Sequence, residues 1–116
     1  MSTDRELLEL AAKAAGIDGF FVDAGLNAGS NAFPKVWNPL TDDGDALRLA
    51  VKLAISITPY PIYEHPKHSV IAWRKSLDDS PGEVAEVYGG DQYAATRRAI
   101  VRAAAAIAKA DGGAEG

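Results

Sequence analysis

Apolar residues return every three or four positions in three stretches of the chain, and between those stretches they alternate or gather in short runs. Leu7, Leu8, Leu10, Ala11, Ala14 and Ala15 follow Thr3-Asp4-Arg5-Glu6, which has the S/T-x-x-E form of a capping box, and Gly16 supplies a stop. A first helix is predicted over roughly residues 4–15. Ile17 to Pro39 shows no clean period. Phe20-Phe21-Val22 and Lys35-Val36-Trp37 flank a stretch holding Gly25, Asn27, Gly29, Ser30 and Asn31, which fits either a hairpin or a long loop with its aromatics tucked inward.

Asn38-Pro39 interrupts any regularity, and Thr41-Asp42-Asp43-Gly44-Asp45 then offers a cap at Thr41 with three carboxylates near the positive end of a helix dipole. The second helix is predicted from Asp42 to about Ala54. Its core stripe is read as Ala46, Leu47, Ala50, Val51 and Ala54, with Asp45, Arg48 and Lys52 toward solvent. Ile55-Ser56-Ile57-Thr58 alternates and ends at Pro59 and Pro61, as a short strand does. Residues 68–75 and 83–88 are rich in Val, Ile, Trp and Tyr, and Asp78-Asp79-Ser80-Pro81-Gly82 between them is a turn, so the pair is read as an antiparallel hairpin. Gly89-Gly90-Asp91 then breaks the strand and caps a third helix, Gln92 to Ala110, with Tyr93, Ile100, Ala103, Ala104 and Ile107 as its stripe. Its alanines offer more small surface than one packing face needs, so a homodimer seam is a further option. Residues 111–116 are read as a frayed tail.

The fold class is therefore α+β: helices packed on a small antiparallel sheet, in the order helix, strand, strand, strand, helix, preceded by an extra N-terminal helix. With 116 residues the chain suits a single domain, residues 1–116. The absence of cysteine removes disulfides, thiolate metal sites and cysteine nucleophiles, and agrees with a cytoplasmic setting. Met1-Ser2-Thr3-Asp4 lacks a basic segment ahead of an apolar run, and no stretch of about 18 apolar residues occurs, so neither secretion nor a membrane span is expected. A net charge of -4 disfavours a broad phosphate-neutralising surface.

Candidate chemistry is sparse. Asp42, Asp43 and Asp45 do not extend into a calcium loop and are accounted for by the helix dipole. Pro66 between His65 and His68 argues against a shared helical face for metal ligation. No nucleophile elbow, P-loop or dinucleotide fingerprint is present, so no enzyme activity, no cofactor and no metal are expected. The residues suited to recognition are aromatic and basic. Trp37, Tyr60, Tyr63, Trp73 and Tyr88 are amphipathic anchors, with a core role as the competing account for both tryptophans, and Arg97, Arg98 and Arg102 are the candidate phosphate or carboxylate partners. Prolines 59 and 61 hold Tyr60 and Tyr63 in an extended stretch.

Two resemblances follow. The element order from Thr41 to Ala110, with Gly89-Gly90 before an alanine-rich helix, resembles the topology of a double-stranded-RNA-binding domain. That family places a lysine cluster at the start of its last helix, where this chain reads Asp91-Gln92-Tyr93-Ala94-Ala95-Thr96, so nucleic-acid binding is not expected. The segments 4–17, 37–47 and 93–104 resemble a family of small phage and prophage proteins of unknown function, described as a phage α-β-α sandwich domain. This resemblance implies a viral accessory product acting in a bacterial cytoplasm, and carries over no catalytic residue. The leading expectation is a non-enzymatic phage accessory protein that binds a host protein, in the manner of a counter-defence factor. A binder of a small nucleotide-like ligand is the second reading and a nucleic-acid-binding module the third.

Overall fold

Thr3 starts the first helix through reciprocal hydrogen bonds: the Glu6 amide donates to Thr3 Oγ1 at 3.1 Å, and the Thr3 amide donates to Glu6 Oε1 at 3.2 Å. The computed structural model describes residues 3–22, 25–27, 29, 35–59, 69–73, 84–87 and 90–111. Helix α1 runs Asp4–Ala15 and stops at Gly16, whose φ of 71° only glycine adopts without strain. Beyond it the chain forms a small antiparallel sheet of β1 (Phe20–Val22), β2 (Gly25–Asn27) and β3 (Val36–Trp37), in that order. The sequence left residues 17–39 open between hairpin and loop; three paired strands are found, with Leu26 opposite both Phe21 and Trp37. Asn27, buried, holds the ends of the β2–β3 connection together, because its Oδ1 accepts from the amides of Gly29 and Lys35 at 3.0 and 3.1 Å.

Helix α2 spans Asp43–Leu53. Its cap is Asp42, not Thr41. Asn38 O accepts from the amides of both Thr41 and Asp42, so Thr41 is spent in a turn, and Asp42 is the last extended residue before the helix, its carboxylate accepting from the Asp45 amide at 2.7 Å. Strands β4 (Ser56–Pro59), β5 (Ser69–Trp73) and β6 (Val84–Val87) form a second antiparallel sheet in the order β4-β5-β6, and helix α3 (Gln92–Asp111) follows. Asp91 caps α3 by accepting from the Tyr93 and Ala94 amides at 2.9 and 3.0 Å. The α+β class is as expected; the sequence anticipated one small antiparallel sheet, and two of three strands each are found. Asp111, read as the start of a frayed tail over 111–116, is the last residue of α3; the rest of that tail and the expected turn at residues 78–82 lie outside the described residues.

Helix α3 is the centre of the molecule: it packs on α1, on α2 and on all three strands of the second sheet. Its alanines make this possible, since Ala95, Ala99, Ala103, Ala104, Ala105 and Ala108 are buried together with Ile100 and Val101. The surplus small surface that suggested a dimer seam is consumed within the chain; only Ala106 and Ala110 of this run stay exposed. No described helix is long and apolar enough to cross a membrane.

Two substitutions test this frame. Gly25 lies at φ 143°, and a Cβ there meets Trp37 O at 2.7 Å, whereas one on Gly16 meets nothing within 4 Å. Denaturant unfolding should show Gly25→Ala destabilising by about 3 kcal/mol, from strain plus a backbone clash. Gly16→Ala should cost only about 1 kcal/mol, from the left-handed φ alone. The Thr3 hydrogen bonds, from backbone first and hydroxyl second, hold the Glu6 carboxyl below its ordinary value. A lowered folded-state pKa gives stability that is present above the unfolded value and is lost as pH falls through the folded one. The stability difference between wild type and Glu6→Gln should therefore shrink on acidification through the carboxylate range and vanish below it.

Candidate functional site

The chain leaves α2 and enters β4 with almost no connection. Ala54 takes a left-handed conformation, φ 56°, and the Ile55 amide returns to Ala50 O at 2.8 Å, so helix and strand diverge from a fixed apex. Between them, floored by α3, lies a cleft of about 550 Å³. Ala46 and Leu47 line one side, Ile57 and Pro59 the other, and Tyr93 and Ile100 contribute from α3. Its surface is mainly apolar, with Asp43 and Arg97 at the border.

The phase of α2 creates this cleft. The sequence placed Ala46, Leu47, Ala50, Val51 and Ala54 in the core; the structure buries Ala46 and Ala50 as expected, adds Leu49 and Leu53, and leaves Leu47 60% and Val51 73% exposed. Two apolar stripes overlap on this helix, and periodicity cannot choose between them. The choice is made by α3, which approaches the side carrying the two inner leucines. Tyr93, assigned to the core stripe of α3, is 70% exposed at the open end of the cleft. Leu47 and Tyr93, both assigned to core stripes, are thus the site residues whose exposure sequence reasoning missed, and the second apolar stripe on α2, which leaves Val51 in water too, was the available signal for Leu47.

Asp45 also departs from expectation. It was assigned to solvent, yet its side chain is 14% exposed: Oδ2 accepts from the Asn38 amide at 2.9 Å, and Oδ1 pairs with Arg48 at 2.7 Å. The three aspartates of the helix start are each engaged, Asp42 as cap, Asp45 as a tie to the preceding turn, and Asp43 with Arg97. Among the described residues no group of three or more histidines and carboxylates is arranged to hold a metal ion.

The candidate arginines fall on two sides of α3. Arg97 reaches across to α2, donating from Nε to Leu40 O at 2.9 Å and from Nη1 to Asp43 at 2.7 Å, with its side chain 17% exposed. Arg98 and Arg102, a helical turn apart, face the other way. Arg98 pairs with Asp4 at 2.9 Å, and Arg102 pairs with Glu86 and donates to Ala85 O. Arg98 also lines a second cleft of about 360 Å³, shared with Asp4, Glu86 and Asp91. The arginines are therefore not brought together.

The aromatics are dispersed as well. Trp37 is buried in the core opposite Leu26. Trp73 is exposed on the sheet face away from Ala72, and its Nε1 lies 3.4 Å from Thr58 Oγ1 as donor. Tyr60, Tyr63 and Tyr88, like His65 and His68, lie outside the described residues. In comparisons with known proteins, the chain matches no family model, no curated protein and no solved structure.

The arginine assignments can be separated by unfolding measurements. Arg97→Met keeps the apolar stem but strands Leu40 O, and should destabilise by about 2 kcal/mol. Arg98→Met removes a solvent-exposed pair and should cost less than about 1 kcal/mol.

Proposed function

We propose that this chain is a non-enzymatic accessory protein of phage or prophage origin that binds a host protein in the bacterial cytoplasm and so blunts a host defence. One observation carries the binding part of this reading: the cleft between α2 and β4 is bordered by two large side chains, Leu47 and Tyr93, that the fold leaves in water, and Val51 on the same helix is exposed as well. Contiguous exposed apolar surface with an aromatic anchor is the usual mark of a protein-binding surface. The viral origin and the host target rest on the sequence resemblance of segments 4–17, 37–47 and 93–104.

The competing readings need a cationic site, and the charge arrangement works against one. Each of Arg97, Arg98 and Arg102 already faces a carboxylate. The cleft that holds Arg98 holds Asp4, Glu86 and Asp91 too, so a phosphate entering it meets more negative charge than positive. A nucleotide-like ligand and a nucleic acid are both less well served than an uncharged, apolar protein segment.

Affinity capture from nuclease-treated host lysate tests the reading. A stoichiometric host polypeptide should be retained by the wild type, and retention should fall at least about tenfold with Leu47→Asp or Tyr93→Ala, the loss expected from an interface hot spot. Both positions are exposed, so thermal unfolding should be nearly unchanged. Retention of the same polypeptide by both variants at wild-type levels would exclude this cleft. A nucleotide released on heating the purified protein would favour the second reading instead.

A further inference from the structure

We infer that the cleft takes its partner as an extended segment, added as a further strand along β4 and lying between β4 and α2. The inference rests on the protein-binding reading and specifies what that partner presents.

Three features of the wedge argue for a strand. In the order β4-β5-β6, β4 is an edge: among the described residues it has a strand neighbour on one side only. Ile57 and Pro59 line the cleft from this strand, and backbone groups on an edge strand are open to pairing. An apolar helix laid in the cleft would cover these polar groups without satisfying them, whereas a strand hydrogen-bonds to them. Side chains supply the second feature. Ile57 and Pro59, two residues apart, turn to the α3 side, as their buried partners Ala72 and Val70 do, and with Leu47 and Tyr93 they make an apolar lining. A strand beside β4 presents every second side chain to that lining.

Charge at the mouth supplies the third. The wedge is closed at Ala54 and opens toward Pro59 and the start of α2, where the Asp42 and Asp43 side chains are exposed and, with Asp45, outnumber the Arg48 and Arg97 guanidiniums that pair with them. With a chain charge of -4, that end favours a basic residue on the incoming segment. The occupant is therefore an extended peptide segment with alternating apolar side chains and a lysine or arginine near the Asp43 end. Pro59 lacks an N–H and shortens the ladder there, which limits open-ended strand addition.

The test uses the intact chain, labelled with ¹⁵N, and three synthetic peptides built from valine, isoleucine, threonine and lysine. One alternates apolar and polar residues with a terminal lysine, one permutes the same residues to helical spacing, and one is the alternating peptide with methylated backbone amides. The alternating peptide should shift the amide signals of Ile57 and Thr58 together with those of Leu47 and Tyr93. Permutation and backbone methylation should each weaken binding about tenfold, as loss of one or two hydrogen bonds does. Equal or tighter binding by the permuted peptide, or indifference to methylation, overturns strand addition. So does silence from all three up to about 1 mM. A dimer in sedimentation with protected β4 amides also overturns it, since the edge is then taken by a second copy. In each case partner capture sensitive to Leu47→Asp would leave the protein-binding reading standing, and its loss would remove both.

Discussion

The structure depends on α3 being buried on nearly every side. A helix surrounded by two other helices and a sheet has room only for small side chains at most contacts, and the run from Ala99 to Ala108 provides them. Alanine brings little apolar area per residue, so the gain comes from close approach: backbones draw near and the dispersion contacts of neighbouring larger side chains reach full strength. Val101, fully buried, and Ile100 supply bulk where the packing allows it. Alanines 11, 12 and 15 on α1 are buried as well, which fits a seam made of small residues on both partners.

Arginine placement follows from the same geometry. With most of α3 enclosed, its long charged side chains emerge only at the edges of the packing, and each turns back over a neighbouring element. Arg97 ties α3 to the turn before α2 through a backbone carbonyl and a carboxylate at once, whereas Arg98 binds α1 through the exposed Asp4 and Arg102 binds β6 through the half-buried Glu86. Guanidinium groups with these partners hold elements in register rather than wait for a phosphate. The exposed pairs contribute little to stability, but they fix where the charge points.

Local chemistry was legible in the sequence, and spatial choices were not. The capping box at Thr3, the cap at Asp91, the three helices and the strands at 56–59, 69–73 and 84–87 follow from side-chain hydrogen bonding and residue spacing that act over a few positions. The strands at 20–22, 25–27 and 36–37 were ambiguous, because runs of two or three residues are too short to show alternation and owe their order to Asn27 and to the pairing of Leu26 with Trp37. Thr41 lost the cap to Asp42 because its hydroxyl turns back to donate to Asn38 O, whereas the Asp42 carboxylate reaches the Asp45 amide. The phase of α2 is the most consequential miss: Ala46, Leu47, Leu49, Ala50, Val51, Leu53 and Ala54 satisfy two helical stripes at once, and only the approach of α3 shows which one is covered.

The proposed function rests on that second stripe. Had α2 needed only to pack on α3, polar residues at positions 47 and 51 would have served the fold as well, since neither side chain is covered. The left-handed Ala54 points the same way. A non-glycine residue held at positive φ is strained by about 1 kcal/mol, and here the strain fixes the apex from which α2 and β4 diverge. The wedge is thus a gap that the backbone holds open, walled by an edge strand on one side and apolar side chains on the other. Packing within the chain leaves Leu47, Val51 and Tyr93 uncovered, and the proposed partner would cover Leu47 and Tyr93, which line the gap.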